Sequence, residues 1–300
     1  MSHRILAGAA IAASLAAAAP AVAATKPKTM PVEIRFAAVA GTTPVSCASE
    51  IPGLGTTNAA ARLEDLRFFV SNVRMVRANG TSAAVKLTGS TRYNVSSKAG
   101  RTTLIDLENG TGSCARSGDM LVNAAVRGRV PRGAYRGVRF YVGVPFGMNH
   151  TDVIGAPGPL ASMAMAWSWQ SGRKFTKIEV GDPGGATGTW TAKSFMVHLG
   201  STGCTGNPAT GGTASCAASN RATVKLARFN PARQKVAVDL RAMLSGVDVT
   251  RNTPRTAPGC MSGPTDPECP AVFDAFGIDR TTGASMHGGM HQRVFRAIAR

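Results

Sequence analysis

Short stretches in which apolar and polar residues alternate are the main pattern along this chain. Residues 138–146 are apolar at every second position, which predicts a β-strand with one buried face. Residues 63–76 predict a strand pair or one bent strand, whereas residues 236–244 predict a short helix. Two glycine-rich tracts, 181–188 and 206–212, predict loops, because glycine loses much backbone entropy in a regular element. We therefore expect an all-β fold, a β-sandwich-like single domain with long loops.

The first 24 residues predict an export signal. Arg4 precedes an apolar run that ends in small residues at positions 21–24, as in secretory signals with an A-x-A-type cleavage site. The run is shorter than the roughly 18 to 20 apolar residues that span a bilayer, and no later segment reaches that length. We expect cleavage near Ala24, a periplasmic location, and a mature domain over residues 25–300 without a membrane span.

Six cysteines follow the predicted signal, and an even count in an exported chain indicates disulfide bonds. Two pairs lie close in sequence within loop-forming residues, so local bridges are the economical pairing, and the remaining two cysteines would join distant parts of the chain. The expected pairs are Cys47–Cys114, Cys204–Cys216 and Cys260–Cys269. Other connectivities of six cysteines stay open from the sequence.

The chain is strongly basic. It has 34 Lys and Arg against 16 Asp and Glu, and removing Arg4 with the signal leaves 33 − 16 = +17 for the mature chain. Such a charge can attract nucleic acid or an anionic membrane face. The arginines are spread along the chain and rarely form clusters with aromatic residues, which favours a solvated basic surface over nucleic-acid binding. An acidic partner protein is also compatible with this charge.

The chain shows none of the familiar catalytic or cofactor motifs. It has no G-x-S-x-G nucleophile elbow, no H-E-x-x-H zinc motif, no C-x-x-C-H haem site and no phosphate-binding loop. Asp and Glu are scattered along the chain, so pairing any two of them as acid and base would be arbitrary. We therefore expect a binding protein and not an enzyme.

The segment 163–170 alternates large and small side chains. In an extended conformation it would place Met163, Met165, Trp167 and Trp169 on one face. Such a stripe is more often core packing than a binding site. A second candidate strand, 190–198, would place His198 on one face with Trp190 and Met196.

Two candidate metal sites involve histidine. His150 follows a predicted strand end, where a metal could be reached from solvent, and His198 ends the second candidate strand. Near the C terminus, thioether and imidazole donors that suit Cu(I) form a candidate weak second site; its residues are Met286, His287, Met290 and His291. Gly288 and Gly289 favour the alternative, a flexible tail over residues 285–300 with incidental histidines.

Four segments in a shared order resemble one protein family. They are 143–150 (GVPFGMNH), 165–175 (MAWSWQSGRKF), 198–204 (HLGSTGC) and 259–262 (GCMS). Together they resemble the MbnP family of copper proteins, which is associated with methanobactin operons and is also described as metallo-mystery-pair proteins with a four-Cys motif. Weaker matches extend the resemblance over nearly all of the mature chain. Arg173 departs from the family pattern, which commonly has Tyr there.

The resemblance implies a copper-binding protein that is the substrate of a partner, a MauG-like dihaem oxidase of the cytochrome c peroxidase class. The partner would oxidise a tryptophan to kynurenine, which would bind one copper per chain with two histidines. By motif these are His150 and His198, with either Trp167 or Trp169 modified. Intact indole has no free nitrogen lone pair, whereas the aromatic amine of the opened ring suits copper together with two imidazoles.

Two alternatives use the same residues. A mononuclear copper oxidoreductase could be built on His150 and His198 with an open coordination position. A secreted binding module could instead contact a ligand such as a glycan through Trp167, Trp169 and Trp190. The module requires exposed, unmodified tryptophans and no metal.

Overall fold

A computed structural model describes residues 28–167, 172–184, 190–207 and 215–300 of the chain. The predicted export signal, residues 1–24, lies outside these residues. So do Trp169 and large parts of the two glycine-rich tracts. Within the described residues, no helix is long and apolar enough to cross a membrane.

Most of the regular structure is β-strand. The strands are β1 Thr29–Ala40, β2 Thr43–Pro44, β3 Glu50–Leu54, β4 Ala59–Val76, β5 Ser82–Ala84, β6 Lys86–Leu87, β7 Asn94–Ser97, β8 Gly100–Asp106, β9 Ala125–Pro131, β10 Gly137–Val142, β11 Thr176–Gly181, β12 Ser194–Val197, β13 Thr202–Thr205, β14 Ser215–Ala218, β15 Ala222–Leu226, β16 Gln234–Asp239 and β17 Phe295–Ala299. The α-helices are α1 Phe146–Asn149, α2 Leu240–Leu244 and α3 Cys269–Phe276. Short 3₁₀ turns occur at Gly112–Cys114, Gly158–Ala161, Met163–Met165 and Met286–Gly289.

Two large sheets pack face to face. In the described residues, six strands form one sheet in the order β17-β16-β1-β9-β6 with β2 beside β1, and nine form the other around the path β12-β11-β4-β10-β15. Phe36 and Phe295 of the first sheet meet Phe68 and Phe140 of the second, with ring centroids 5.6 to 5.8 Å apart. These aromatic contacts close a single core between the sheets, so the predicted all-β single domain is confirmed.

The long apolar stretch at 63–76 lies within one 18-residue strand, β4. This strand pairs with β3, β5, β8, β10 and β11. Its residues 65–71 are all buried, so both faces of this part of the strand are covered and the alternation is weak. The helix predicted over 236–244 is wrong in its first half. Val236 and Val238 are buried in β16 between β1 and β17, and the helix begins only after Asp239, whose carboxylate accepts from the first backbone N–H groups of α2.

The strand predicted over 163–170 is also wrong in the part that the structure describes. Met163–Met165 forms a 3₁₀ turn, so Met163 is 73% exposed while Met165 is fully buried. The second candidate strand, 190–198, is shortened to β12. The C-terminal residues are ordered by the 3₁₀ turn Met286–Gly289 and by β17, in contrast to the flexible tail expected over 285–300.

All three predicted disulfide bonds are confirmed. Cys47 joins Cys114 with a Cα–Cα distance of 5.4 Å, and the two local bridges, Cys204–Cys216 and Cys260–Cys269, close loops near the edge of the nine-stranded sheet. Cys204 and Cys216 face each other across the β13–β14 pair. Cys260 pairs through its backbone with Val197 at the end of β12. Both local bridges therefore lie next to the candidate histidines.

Candidate metal centre

His198 follows β12 and is held by both its backbone and its ring. Its backbone N–H donates to the carbonyl of Cys260 at 3.0 Å, and its carbonyl accepts from the hydroxyl of Ser262 at 3.0 Å. The ring Nε2 lies 2.8 Å from Oε1 of Glu179 on the adjacent strand β11. The imidazole is only 7% exposed, so its orientation is determined by these contacts.

The charges around His198 favour a neutral imidazole beside an ionised carboxylate. Burial opposes ionisation of Glu179, but the hydrogen bond from His198 and the charge of Lys177 outweigh it and lower the pKa of Glu179 to about 2. Burial lowers the pKa of His198, and the contact with Glu179 offsets only part of that effect. An ionised carboxylate can only accept, so Nε2 carries the proton and Nδ1 carries the lone pair. A carboxylate that orients a histidine in this way is the common arrangement behind metal-ligating imidazoles.

Trp167 lies against His198 and Gly200. The indole and imidazole ring centroids are 6.4 Å apart with an interplanar angle of 87°. A Cβ atom at Gly200 would come within 2.7 Å of Cζ3 of the indole, so the absence of a side chain there makes room for the ring. The backbone N–H of Trp167 donates to the backbone carbonyl of Gly172 at 2.9 Å, which holds together the two ends of the segment carrying both candidate tryptophans.

His150 follows α1 and packs against the Cys204–Cys216 bridge. Gly143, with a φ of 124°, makes the turn after β10 that leads into this helix. The imidazole is 7% exposed, and its Nε2 lies 3.3 Å from Sγ of Cys216 and 3.1 Å from Nδ2 of Asn149. His150, Cys204 and Cys216 place their potential ligand atoms within 4.8 Å of one another. Since the two sulfurs are bonded to each other, they offer no thiolate to a metal.

Arg173 holds the loop that carries His150. Its buried guanidinium donates to five backbone carbonyl groups of that loop; they belong to Met148, Asn149, Thr151, Asp152 and Leu160. Burial lowers the pKa of Arg173 to about 10. In the sequence Arg173 appeared only as a departure from the family pattern. Neither its positioning role nor that of Glu179 was predicted, because both depend on contacts between segments far apart in sequence.

Trp167 and Arg173, on either side of residues 168–171, contact the two histidine-bearing regions. On one side the Arg173 N–H donates to Oδ1 of Asn149 at 2.9 Å, next to His150, and on the other side Trp167 contacts His198 and Gly200. Trp169 lies outside the described residues. The C-terminal group at 286–291 occupies a different turn, packed on β15. The structure thus brings His198 and Trp167 together and places His150 beside the same segment.

These donors fit copper under one condition. A buried, neutral and oriented imidazole at His198 is a suitable ligand, and His150 provides a second imidazole without any thiolate. Trp167 as an intact indole offers no nitrogen lone pair. The set is therefore complete only if the indole is opened to an aromatic amine.

Fold and site together define a disulfide-bridged all-β protein in which two buried histidines flank a tryptophan segment. The MbnP family model matches residues 29–262. A solved structure, MbnP from Methylosinus trichosporium, is 34% identical with a TM-score of 0.79, and the similarity covers 91% of this chain and 99% of that chain. No curated protein matches. The chain belongs to the MbnP family.

Proposed function

We propose that this chain is an exported copper-binding protein of the methanobactin-associated type, in which His150, His198 and a kynurenine formed from Trp167 hold one copper ion. The observation that carries the proposal is the contact of the Trp167 ring with the oriented imidazole of His198. The new aromatic amine would arise on a ring that already lies beside a metal-competent histidine. The bound ion would serve as cargo in copper homeostasis, and the chain itself would be no catalyst.

The oxidant in this proposal is a partner, a MauG-like dihaem protein of the cytochrome c peroxidase class. Opening the indole takes up dioxygen, or the equivalent in peroxide, together with water, and the lost ring carbon leaves as formate. The product is heavier than tryptophan by about 4 Da. Trp167 is half-buried, so part of its ring is open to an approaching oxidant while the rest is held against Gly200.

The proposed periplasmic location agrees with the cysteine chemistry. All six cysteines of the chain are paired in disulfide bonds, which persist in oxidising compartments and are rare in the cytosol. With no free thiol in the described residues, copper ligation would fall to imidazole and amine. The basic surface would attract an acidic partner more readily than a free cation.

Peptide mass spectrometry of the protein from its native host, with copper quantified in parallel, tests the proposal. We expect a gain of about 4 Da on Trp167 and loss of copper in His150→Ala and His198→Ala variants. Trp190 is an internal control, because it packs on the core and donates from Nε1 to the carbonyl of Ala60 at 2.9 Å; it should stay unmodified.

The other outcomes decide between the alternatives. A mass gain on Trp169 would overturn the assignment to Trp167 but keep the kynurenine. Copper bound at the two histidines with all tryptophans intact would remove the kynurenine. Neither copper nor modification would leave a binding module without metal as the better function. Coexpression with and without the dihaem partner tests the oxidant, because the gain should appear only with it.

A further inference from the structure

A second group of copper-type donors lies on the turn at Met286–Gly289. The rings of His287 and His291 stack with their centroids 4.0 Å apart and an interplanar angle of 27°. Both histidines are exposed, as is the thioether residue Met290, at 64%. The turn lies beyond residue 262, where the family match ends.

The backbone of this turn is anchored on both sides. The Thr223 N–H of β15 donates to Oγ of Ser285 at 2.9 Å. Gly289 packs so closely on the same strand that a Cβ atom there would lie 2.2 Å from the Thr223 carbonyl. A few residues later Phe295 is buried in the aromatic core. The two imidazoles are therefore presented by a fixed backbone and not by a loose tail.

The backbone of His287 is itself unusual. Its φ of 49° lies in the left-handed region, which residues other than glycine adopt at some energetic cost. At this turn the imidazoles of His287 and His291 stack on each other at the surface.

We propose that His287 and His291, with the thioether of Met286 or Met290, form an exposed Cu(I)-binding site separate from the one at Trp167. Metal–imidazole bonds are about 2.0 Å long and lie in the plane of the ring, so one of the two exposed rings, whose stacked centroids are 4.0 Å apart, must rotate out of the stack for both to bind one ion. Imidazole and thioether together suit Cu(I). Because the site is exposed, it is suited to capturing or exchanging the ion, in contrast to the site formed by the buried histidines.

The surrounding charge favours a singly charged ion. Gly288 lines a surface cleft of about 840 Å³ whose lining is strongly basic; its cations are Arg77, Arg136, Arg139, Lys225 and Arg228. Repulsion from these groups scales with the charge of the ion, so it opposes Cu(II) and Zn(II) about twice as strongly as Cu(I). This effect acts in the same direction as the preference of the thioether for a soft ion.

Anaerobic titration with Cu(I), delivered from a coloured competing chelator, tests the site. We expect the His287→Ala/His291→Ala variant to bind one Cu(I) fewer than the unmodified sequence. We expect a His150→Ala/His198→Ala variant to retain this one. The comparison separates the two sites, because Cu(I) binding at His287 and His291 stays measurable when His150 and His198 are replaced, even in protein that no oxidase has modified.

Two further variants address the sulfur ligand and the fold. Met286→Leu/Met290→Leu keeps the side-chain volume and should weaken Cu(I) binding at this site by about tenfold or more, with loss of sulfur scattering at the copper X-ray absorption edge. The histidine variant should keep its circular dichroism and melting temperature, since both rings are exposed. Equal Cu(I) stoichiometry with and without His287 and His291 would overturn the proposal, as would preferential binding of Zn(II).

Discussion

Replacing Gly200 by alanine tests the contact on which the candidate copper site depends. The new Cβ would lie 2.7 Å from Cζ3 and 2.8 Å from Cε3 of Trp167, and 3.1 Å from the carbonyl oxygen of Arg173. The φ of Gly200 is not in the left-handed region, so the backbone can accept alanine. The expected effect therefore comes from the contact with the indole.

The size of the effect follows from these distances. Carbon atoms in favourable contact are about 3.5 Å apart, so the indole must withdraw by about 0.8 Å, or Gly200 must shift. Overpacking of this kind costs about 1 to 3 kcal/mol. Because Trp167 is half-buried and can move partly towards solvent, we expect a loss of about 1 to 2 kcal/mol in the free energy of unfolding.

A double-mutant cycle in urea measures the contact directly. We expect Gly200→Ala to destabilise the unmodified sequence more than it destabilises a Trp167→Ala background, with a coupling energy of about 1 kcal/mol. Gly133→Ala is the matched control, because its Cβ would meet only Arg77, at 3.4 Å or more. It should be neutral or slightly stabilising.

The cycle also has a clear negative result. If the effects of Gly200→Ala and Trp167→Ala simply add, the indole does not lie against Gly200, and the placement of Trp167 beside His198 loses its support. With coupling present, Gly200→Ala should also lower copper binding in protein that carries the kynurenine, because the modified ring would be displaced from His198.

Two other changes give further predictions. Glu179→Gln should weaken copper binding by about 10- to 100-fold, because the buried carboxylate that orients His198 is lost. Competition against a copper chelator measures the affinity. Glu50→Gln is the control: it lies at an exposed position and should not change copper binding. Asp106→Asn should stabilise the protein at pH 8 and flatten its stability between pH 5 and 9. Burial and the nearby Glu108 raise the pKa of Asp106 to about 9, so the folded state holds a proton that the unfolded state has lost, and stability falls with rising pH by up to about 1.4 kcal/mol per unit. Urea unfolding at several pH values checks this, and parallel curves for the two proteins would contradict it.

Arg173 shows how a buried cation can be accommodated. A buried guanidinium without a carboxylate partner is normally unfavourable, but here it is surrounded by the carbonyl groups of the loop that bears His150. The same side chain therefore satisfies several backbone carbonyl groups of this loop at once. Its backbone N–H extends this support to Asn149, the neighbour of His150.

Local features of the sequence were sufficient for much of the fold. The alternation around Phe140 predicts a strand because a residue that faces the core of a sandwich recurs at every second position. Cys204 and Cys216 lie twelve residues apart, and Cys260 and Cys269 nine, so their pairing needed little knowledge of distant parts of the chain. The family resemblance placed His150 and His198 in the candidate site by motif.

Other features depend on tertiary contacts. Alternation at Met163 and Met165 mimics a strand, but the chain turns there because Trp167 must reach Gly200 while Arg173 reaches the His150 loop. Glycines at 288 and 289 suggest a loose tail, yet one of them is what allows the turn to pack on β15. Composition and periodicity indicate which residues prefer burial, whereas the partner of each buried polar group depends on which distant segments pack against it. For that reason the sequence by itself predicted several of the strands, favoured the observed bridges and supplied the candidate ligands, and only the tertiary structure decided that Glu179 orients His198 and that Arg173 supports His150.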